Sequence, residues 1–320
     1  MMLVTLSLGA MPLIKLNNGV QMPAVAAGTW QYDADTAQQS VAAALSAGFT
    51  HIDTAHDYCA DGSTGKCKTG SNQQGIAKTI AGVGRDSLFI TTKVPGCGMQ
   101  GIGRASCAAD SLAAAEANLN ELNTSYVDLL LIHFPPIGGC GALNCGVIQK
   151  QWAALESVYR AKKARAIGVS NFCVSCLKCL AKNASATVPA VNQIEYHIGM
   201  GADPEDLIST CRARGIVAQA YSPLGDNTSE LISGSLVTSI GAAHQKSGVQ
   251  VALRWIYQNG VAVTTKSTNP AHLADDLDLF DWSLTADEKA QADAATSPKG
   301  TPSFMCSREG AGSAVEYEQR

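Results

Sequence analysis

The chain is 320 residues long, 46% hydrophobic and 16% charged, with a formal net charge of -4 at pH 7. One barrel domain of about 250 residues, or two medium domains, would suit this length, and either can bury a core without covalent staples. The mild acid excess argues against nucleic acid as a partner, and the lack of any apolar run of about 18 residues argues against a membrane span.

From the start of the chain, Met1–Leu13 is apolar but short and has no positive residues ahead of its apolar run. It reads as a loose start rather than a cleaved leader. Leu13-Ile14-Lys15-Leu16 and Val20-Gln21-Met22 flank Asn17-Asn18-Gly19, the pattern of a small β-hairpin. A rhythm then begins in which short apolar runs alternate with helical segments. Ala24–Gly28 leads to a helix near 35–47, Thr50–Asp53 to one near 73–81, and Leu88–Lys93 to one from about Ser106 to Leu122. Val127–His133 is followed by a helix over Gln149–Lys163, and Ala166–Val169 by one over Val174–Lys182. Ala190–Ile194, a helix near 204–214, Val217–Ala220, a helix near 250–258 and Val261–Thr264 complete the series.

Eight strand runs, apolar on both faces and separated by helices, predict a parallel sheet covered on both sides. Eight such units in one domain predict a closed (β/α)8 TIM barrel of α/β class with an N-terminal hairpin. No linker divides the chain, so a single domain over 1–320 is expected, with 1–11 and 306–320 peripheral.

Two Gly/Cys-rich stretches, Cys59–Ser71 and Gly138–Gly146, break the rhythm, and each follows a strand. Loops in that position sit at the active face of a barrel. The 11 cysteines are odd in number and belong to a long chain, which predicts idle or buried reduced thiols and a cytoplasmic protein. Cys59/Cys67 and Cys140/Cys145 are the pairs within these loops that could bridge or bind metal, though idle thiols are the expectation. Cys173, Cys176 and Cys179 recur every three residues, a spacing that drifts around a helix and differs from a paired zinc knuckle.

Two motifs mislead. Gly96-Cys97-Gly98-Met99-Gln100-Gly101 matches a dinucleotide fingerprint but follows the third strand and opens no helix directly, so it reads as a loop. Tyr159-Arg160-Ala161-Lys162-Lys163 matches the Tyr-x-x-x-Lys of short-chain dehydrogenases, yet no glycine-rich first turn accompanies it. It reads as the charged end of an outer helix.

Three consecutive strand ends carry chemistry. Thr50–Asp53 runs on through Thr54-Ala55-His56-Asp57-Tyr58, Phe89–Lys93 ends in a lysine, and Leu129–His133 ends in a histidine. Taken singly, an Asp after a strand is commonly a helix cap, and a buried His is commonly a satisfied core residue. Neighbouring strands of one barrel, however, would bring Asp53, Tyr58, Lys93 and His133 together. Carbonyl reduction needs such a group, because a general acid must protonate the oxygen as hydride reaches the carbon. Tyrosine, with a free pKa of about 10, is a weak acid that a lysine ammonium strengthens. Asp53 would pair with Lys93, and His133 could orient the carbonyl oxygen.

The segment Gly48–Tyr58 resembles the first signature of the aldo-keto reductase family, and the resemblance runs from about Leu13 to Phe304. It continues through Ile167–Phe172, Gln193, Gln219–Leu224 and Thr265-Lys266-Ser267. The resemblance implies an NAD(P)H-dependent oxidoreductase in which Tyr58 is the proton donor, supported by Lys93 and Asp53, with His133 in the pocket. It further implies NADPH as cofactor, with NADH possible. Ser170, Asn171 and Gln193 would hold the nicotinamide carboxamide and Tyr221 would stack on the ring. Ser222 and Leu224 would meet the pyrophosphate, and Lys266 and Ser267 the adenosine 2′-phosphate. Gly28, Thr29, Trp30, Asp53, Thr268, His272, Asp275 and Asp276 complete the implied cofactor contacts.

Where the family usually has an arginine six residues after the lysine, this chain has His272, and Asp276 stands where Asn is common. That implies a weaker preference for NADPH. Trp30, Tyr58, His133 and Phe134 are expected to contact a small-molecule carbonyl substrate, with the chain acting as a monomer and no metal taking part. The alternative is a non-catalytic, regulatory NADPH-binding protein on the same barrel.

Overall fold

Strands that are apolar on both faces offer none to water and must be covered twice. In the computed structural model, which describes residues 11–183, 186–226 and 228–303, that cover is a ring of helices around a closed barrel. The barrel strands are β3 (Val25–Gly28), β4 (His51–Asp53), β5 (Phe89–Val94), β6 (Val127–Ile132), β7 (Ala164–Ser170), β8 (Val191–Glu195), β9 (Val217–Tyr221) and β10 (Ala262–Thr265). All pair in parallel, and β10 closes the ring by pairing with β3. The helices are α1 (Ala34–Ala47), α2 (Gln73–Ile80), α3 (Cys107–Glu121), α4 (Ala142–Arg160), α5 (Val174–Ala181) and α6 (Leu207–Ala213). After them come α7 (Ser229–Ser233), α8 (Ser235–His244), α9 (Gly248–Gln258), α10 (Pro270–Asp275) and α11 (Ala286–Asp293). Among the described residues no helix is long and apolar enough to cross a membrane. The expected peripheral segments lie almost wholly outside the described residues.

The predicted hairpin is present as β1 (Leu13–Lys15) paired antiparallel with β2 (Gln21–Pro23). Two of its apolar side chains, Leu16 and Met22, are buried in one cluster with Phe89, Leu129, Ala190 and Ala262. Phe89 and Ala262 begin their strands, so the hairpin plugs the N-terminal end of the barrel. Asn17 and Asn18 anchor it by donating to the carbonyls of Pro189 and Arg165, each at 2.9 Å.

Two readings of the sequence need correction. Helix α4 begins at Ala142, not Gln149, so half of the Gly138–Gly146 stretch is helical. Gly146 argued against a helix there, since glycine costs about 1 kcal/mol in a helix interior, but tertiary ties outweigh that local preference. The ties are the second correction. The expected idle thiols are instead bridged as Cys59–Cys67, Cys97–Cys107, Cys140–Cys176 and Cys145–Cys179, with Cα separations of 4.9, 5.4, 5.0 and 5.6 Å. These separations suit a disulfide. Cys176 and Cys179 share a face of α5, which is why their three-residue spacing turns both toward the loop after β6. Cys173 lies against Cys176, with sulfurs 3.5 Å apart. Cys211 is a buried thiol whose pKa burial pushes up to about 11. The premise of reduced thiols behind the cytoplasmic expectation therefore does not hold for these eight cysteines.

The bridges sit in the loops that follow β4, β5 and β6 and at the start of α4. Cys145–Cys179 spans 34 residues, and in a chain-entropy account a closed loop of that size contributes about 3–4 kcal/mol. Because Cys140–Cys176 still closes nearly the same loop, denaturant unfolding of Cys145→Ala/Cys179→Ala is expected to show a smaller loss, about 2–3 kcal/mol, and reductant should lower the wild-type midpoint. A wild-type midpoint indifferent to reductant, with both cysteines alkylated in unreduced unfolded protein, would show that this bridge does not form.

Candidate active site

A lysine ammonium without water needs three acceptors, and Lys93, fully buried at the end of β5, finds all three. Its Nζ donates to Asp53 Oδ1 at 2.6 Å, to the Thr54 carbonyl at 2.9 Å and to the Tyr58 hydroxyl at 3.3 Å. Backbone geometry explains how. Beyond Asp53 the chain keeps bonding to β5, with Thr54 N donating to Thr91 O and His56 N to Lys93 O. It then turns, and Asn72 N donating to Tyr58 O ties the far end of the long loop to the same place. Below, Gln73 accepts from Thr92 Oγ1 at 2.7 Å and donates to Asn118 Oδ1 at 2.8 Å, while Asn118 donates to the Lys93 carbonyl at 3.1 Å.

His133 follows β6, where its N–H donates to the Val94 carbonyl. Its ring stacks on Phe134 at 4.3 Å between centroids and meets Tyr58 edge-on at 5.6 Å. Its Nδ1 lies 2.8 Å from Asp57 Oδ1. Asp57 is buried, which works to raise its pKa, but the charge and hydrogen bond of His133 bring it below the ordinary carboxylate value. Asp57 lies within the Gly48–Tyr58 segment, where the resemblance assigns it no role. The available signal was an acid directly before the candidate tyrosine.

The next strand ends join this group. Gln193 Nε2 donates to Asp53 Oδ2 at 2.7 Å and to Gln219 Oε1 at 3.1 Å, leaving its own Oε1 as an acceptor. Asn171 Nδ2 donates to the His133 carbonyl at 2.9 Å, and Asn171 Oδ1 accepts from the Tyr221 hydroxyl at 2.7 Å. Ser170 Oγ donates to the Gln193 carbonyl. Ser222, at φ 46, begins a tight turn in which Gly225 N donates back to its carbonyl, with Leu224 half-buried in the turn.

At the other edge, Gly28 has no room for a Cβ, which would lie 3.0 Å from Thr264 Cγ2 and 3.2 Å from the Thr265 carbonyl. Thr29 is buried and donates to the Asp53 carbonyl. Lys266 donates to the Trp30 carbonyl at 3.0 Å, its ammonium over the rings of Trp30 and Tyr32, and burial there lowers its pKa.

Ser267, Thr268, His272 and Asp275 lie on the rim after β10, Ser267 half-buried and the others exposed. Asp276 follows them and is turned inward. It is 4% exposed, accepts from Thr265 Oγ1 at 2.7 Å, and burial pushes its pKa up to about 6. Phe134 is buried too, packed flat on His133.

Comparison with known proteins points the same way. The model of the aldo/keto reductase family matches residues 21–297. The chain is 38% identical over 296 residues to morphine 6-dehydrogenase of Pseudomonas putida, covering 89% of this chain and 91% of that protein. It is 36% identical over 286 residues to glyoxal reductase of Bacillus subtilis, covering 88% and 91%. Among solved structures, an aldo-keto reductase from a Medee basin deep-sea metagenome library superposes with a TM-score of 0.76 at 28% identity, covering 92% of this chain and 98% of that one. The Bombyx mori aldo-keto reductase in complex with NADP superposes at 0.72 with 30% identity, covering 89% and 92%.

Removing one partner of a buried ion pair strands the other, at a cost of about 3–5 kcal/mol. Asp53→Ala is therefore expected to lose that much in urea unfolding. Lys93→Met/Asp53→Ala should recover a large part, because no ammonium is left behind. A double variant as unstable as Asp53→Ala alone would show that the stranded charge is not the source of the loss.

Proposed function

The chain belongs to the aldo-keto reductase family, and on that footing we propose that it reduces an aldehyde or ketone to an alcohol with NADPH, using Tyr58 as the general acid. The observation that carries this reading is the buried Lys93 ammonium, hydrogen-bonded at once to Asp53 and to the Tyr58 hydroxyl. The reductase and dehydrogenase names of the relatives support the reaction class, and the NADP complex of the silkworm enzyme supports a nicotinamide cofactor.

The donor set suits such a cofactor. Ser170, Asn171 and Gln193 offer hydroxyl and amide groups at adjacent strand ends to a carboxamide. Gln219 Nε2, buried without a partner among the described residues, adds an unanswered donor beside Gln193. Tyr221 offers a ring, the Ser222–Gly225 turn offers backbone amides to a pyrophosphate, and Lys266 and Ser267 offer a charge and a hydroxyl to a 2′-phosphate.

Bound NADPH supplies the hydride. The chain's own residues do the rest. A carbonyl oxygen between Tyr58 and His133 receives the phenolic proton as negative charge develops on it. Lys93 stabilises the phenolate left behind, which lowers the barrier to proton release. Asp53 fixes the ammonium, and Gln193 and Thr29 fix Asp53. His133 polarises the carbonyl. Trp30 and Phe134 give the pocket its apolar wall, which suits a small carbonyl compound.

At the rim, His272 gives the 2′-phosphate no fixed charge, where an arginine would grip it with a planar fork. Asp275 stays exposed and repels it, while the buried Asp276 accepts from Thr265. NADPH should therefore be preferred over NADH by a modest margin.

Two measurements check these points. Tyr58→Phe should reduce turnover of a carbonyl panel by at least about 100-fold while NADPH fluorescence titration still shows binding; a variant that keeps most of its kcat defeats the assignment. His272→Arg should widen the NADPH-over-NADH ratio of kcat/KM by about tenfold. Stringent NADPH selectivity in the wild type that this change leaves alone would place the phosphate contact elsewhere.

A further inference from the structure

A histidine that polarises a carbonyl must present an N–H to it, and hydrogen-bond chemistry at the other ring nitrogen decides whether it can. Nδ1 of His133 lies 2.8 Å from Asp57 Oδ1. An ionised carboxylate only accepts, so Nδ1 carries a hydrogen. A neutral imidazole would then have a bare lone pair at Nε2, which opposes a substrate oxygen instead of donating to it. Only the imidazolium has a donor on both sides.

The surroundings favour that form. Asp57 is 1% exposed and His133 7%. Phe134 covers one face of the ring, and Asp57 takes Nδ1, so Nε2 is the nitrogen left for a ligand. The titratable groups gathered around the imidazole are Asp57, Tyr58 at the ring edge and, behind Tyr58, the Lys93–Asp53 pair. Lys93 and Asp53 balance each other. Asp57 is a second buried carboxylate, and a buried charge without a partner is costly. A protonated His133 is that partner, and it gives the site two anions and two cations.

We propose that Asp57 is a positioning residue that holds His133 as a doubly protonated imidazolium, so that Nε2–H donates to the carbonyl oxygen while Tyr58 releases its proton. This rests on the reductase reading above. The proton balance is simple: the phenolic proton goes to the oxygen, His133 keeps both of its own, and none passes through Asp57. As pH rises, the imidazolium loses the Nε2 proton and keeps Nδ1–H on Asp57, so the carbonyl loses its donor and reduction slows. Asp57→Asn keeps an acceptor opposite Nδ1 but removes the charge, and that loss then occurs at lower pH.

The test is 15N–1H NMR of the imidazoles in the full chain, with His133→Gln to assign the signal, beside pH profiles of kcat/KM. Wild type should show both nitrogens of His133 protonated at pH 7. In Asp57→Asn the titration midpoint should fall by about one to three pH units. The alkaline fall of kcat/KM should move the same way, with roughly a tenfold or greater loss at pH 7. A neutral His133 in wild type at pH 7, or a midpoint that Asp57→Asn leaves in place, overturns the proposal. The wild-type spectrum decides alone should that variant not fold. Because the spectrum does not depend on turnover, an inactive wild type would sink the reductase reading, whereas an active one with neutral His133 would sink only this proposal.

Discussion

An ammonium group out of reach of water must have every hydrogen answered, and much of the upper barrel follows from answering those of Lys93. Its three acceptors come from the end of β4, the backbone just beyond it, and a side chain four residues further on. Satisfying them fixes the path of the loop after β4. Asp53 in turn needs its second oxygen occupied, and Gln193 reaches across the barrel to do so. One buried charge thereby aligns residues from β4, β5 and β8. Hydrophobic packing can seat these strands side by side, but it cannot set the rotation of polar side chains at their ends. Hydrogen bonds in a dry environment do that, because a misplaced partner leaves a desolvated group unpaired.

Around this centre the loops are held by a second kind of constraint. Loops at a barrel mouth are usually its most mobile parts. Here the loop after β4 is bridged within itself, the loop after β5 is tied to α3, and the loop after β6 is tied to α5. Glu121 adds a polar tie by accepting from Ser71 at the end of the longest loop. The site is therefore shaped by a rigid frame below and tethered loops above.

Much of this was legible in the sequence because it is local. The eight apolar runs fall within a residue or two of β3–β10, and the acid, lysine and histidine at three successive ends needed only barrel order to be brought together. What was not legible depends on distance along the chain. Cys140 and Cys145 pair with partners 36 and 34 residues away, in the next βα unit, and no spacing within either loop announces that. Helix α4 starts early because of those ties, against the preference of Gly146. The short helices α7, α8, α10 and α11 lacked a long periodic stretch, although Thr285 and Glu288 form a capping box at α11 that the residues do spell out.

The hairpin that plugs the lower end has a consequence for traffic. With Leu16 and Met22 buried against the strand starts and Lys93 shut away from solvent, the polar groups at the strand ends face, among the described residues, the loop side. On the proposed chemistry, substrate, product and the proton that restores Tyr58 must all share that side. Recharging the phenol is then a matter of scheduling, since on that chemistry product leaves by the side from which the proton arrives.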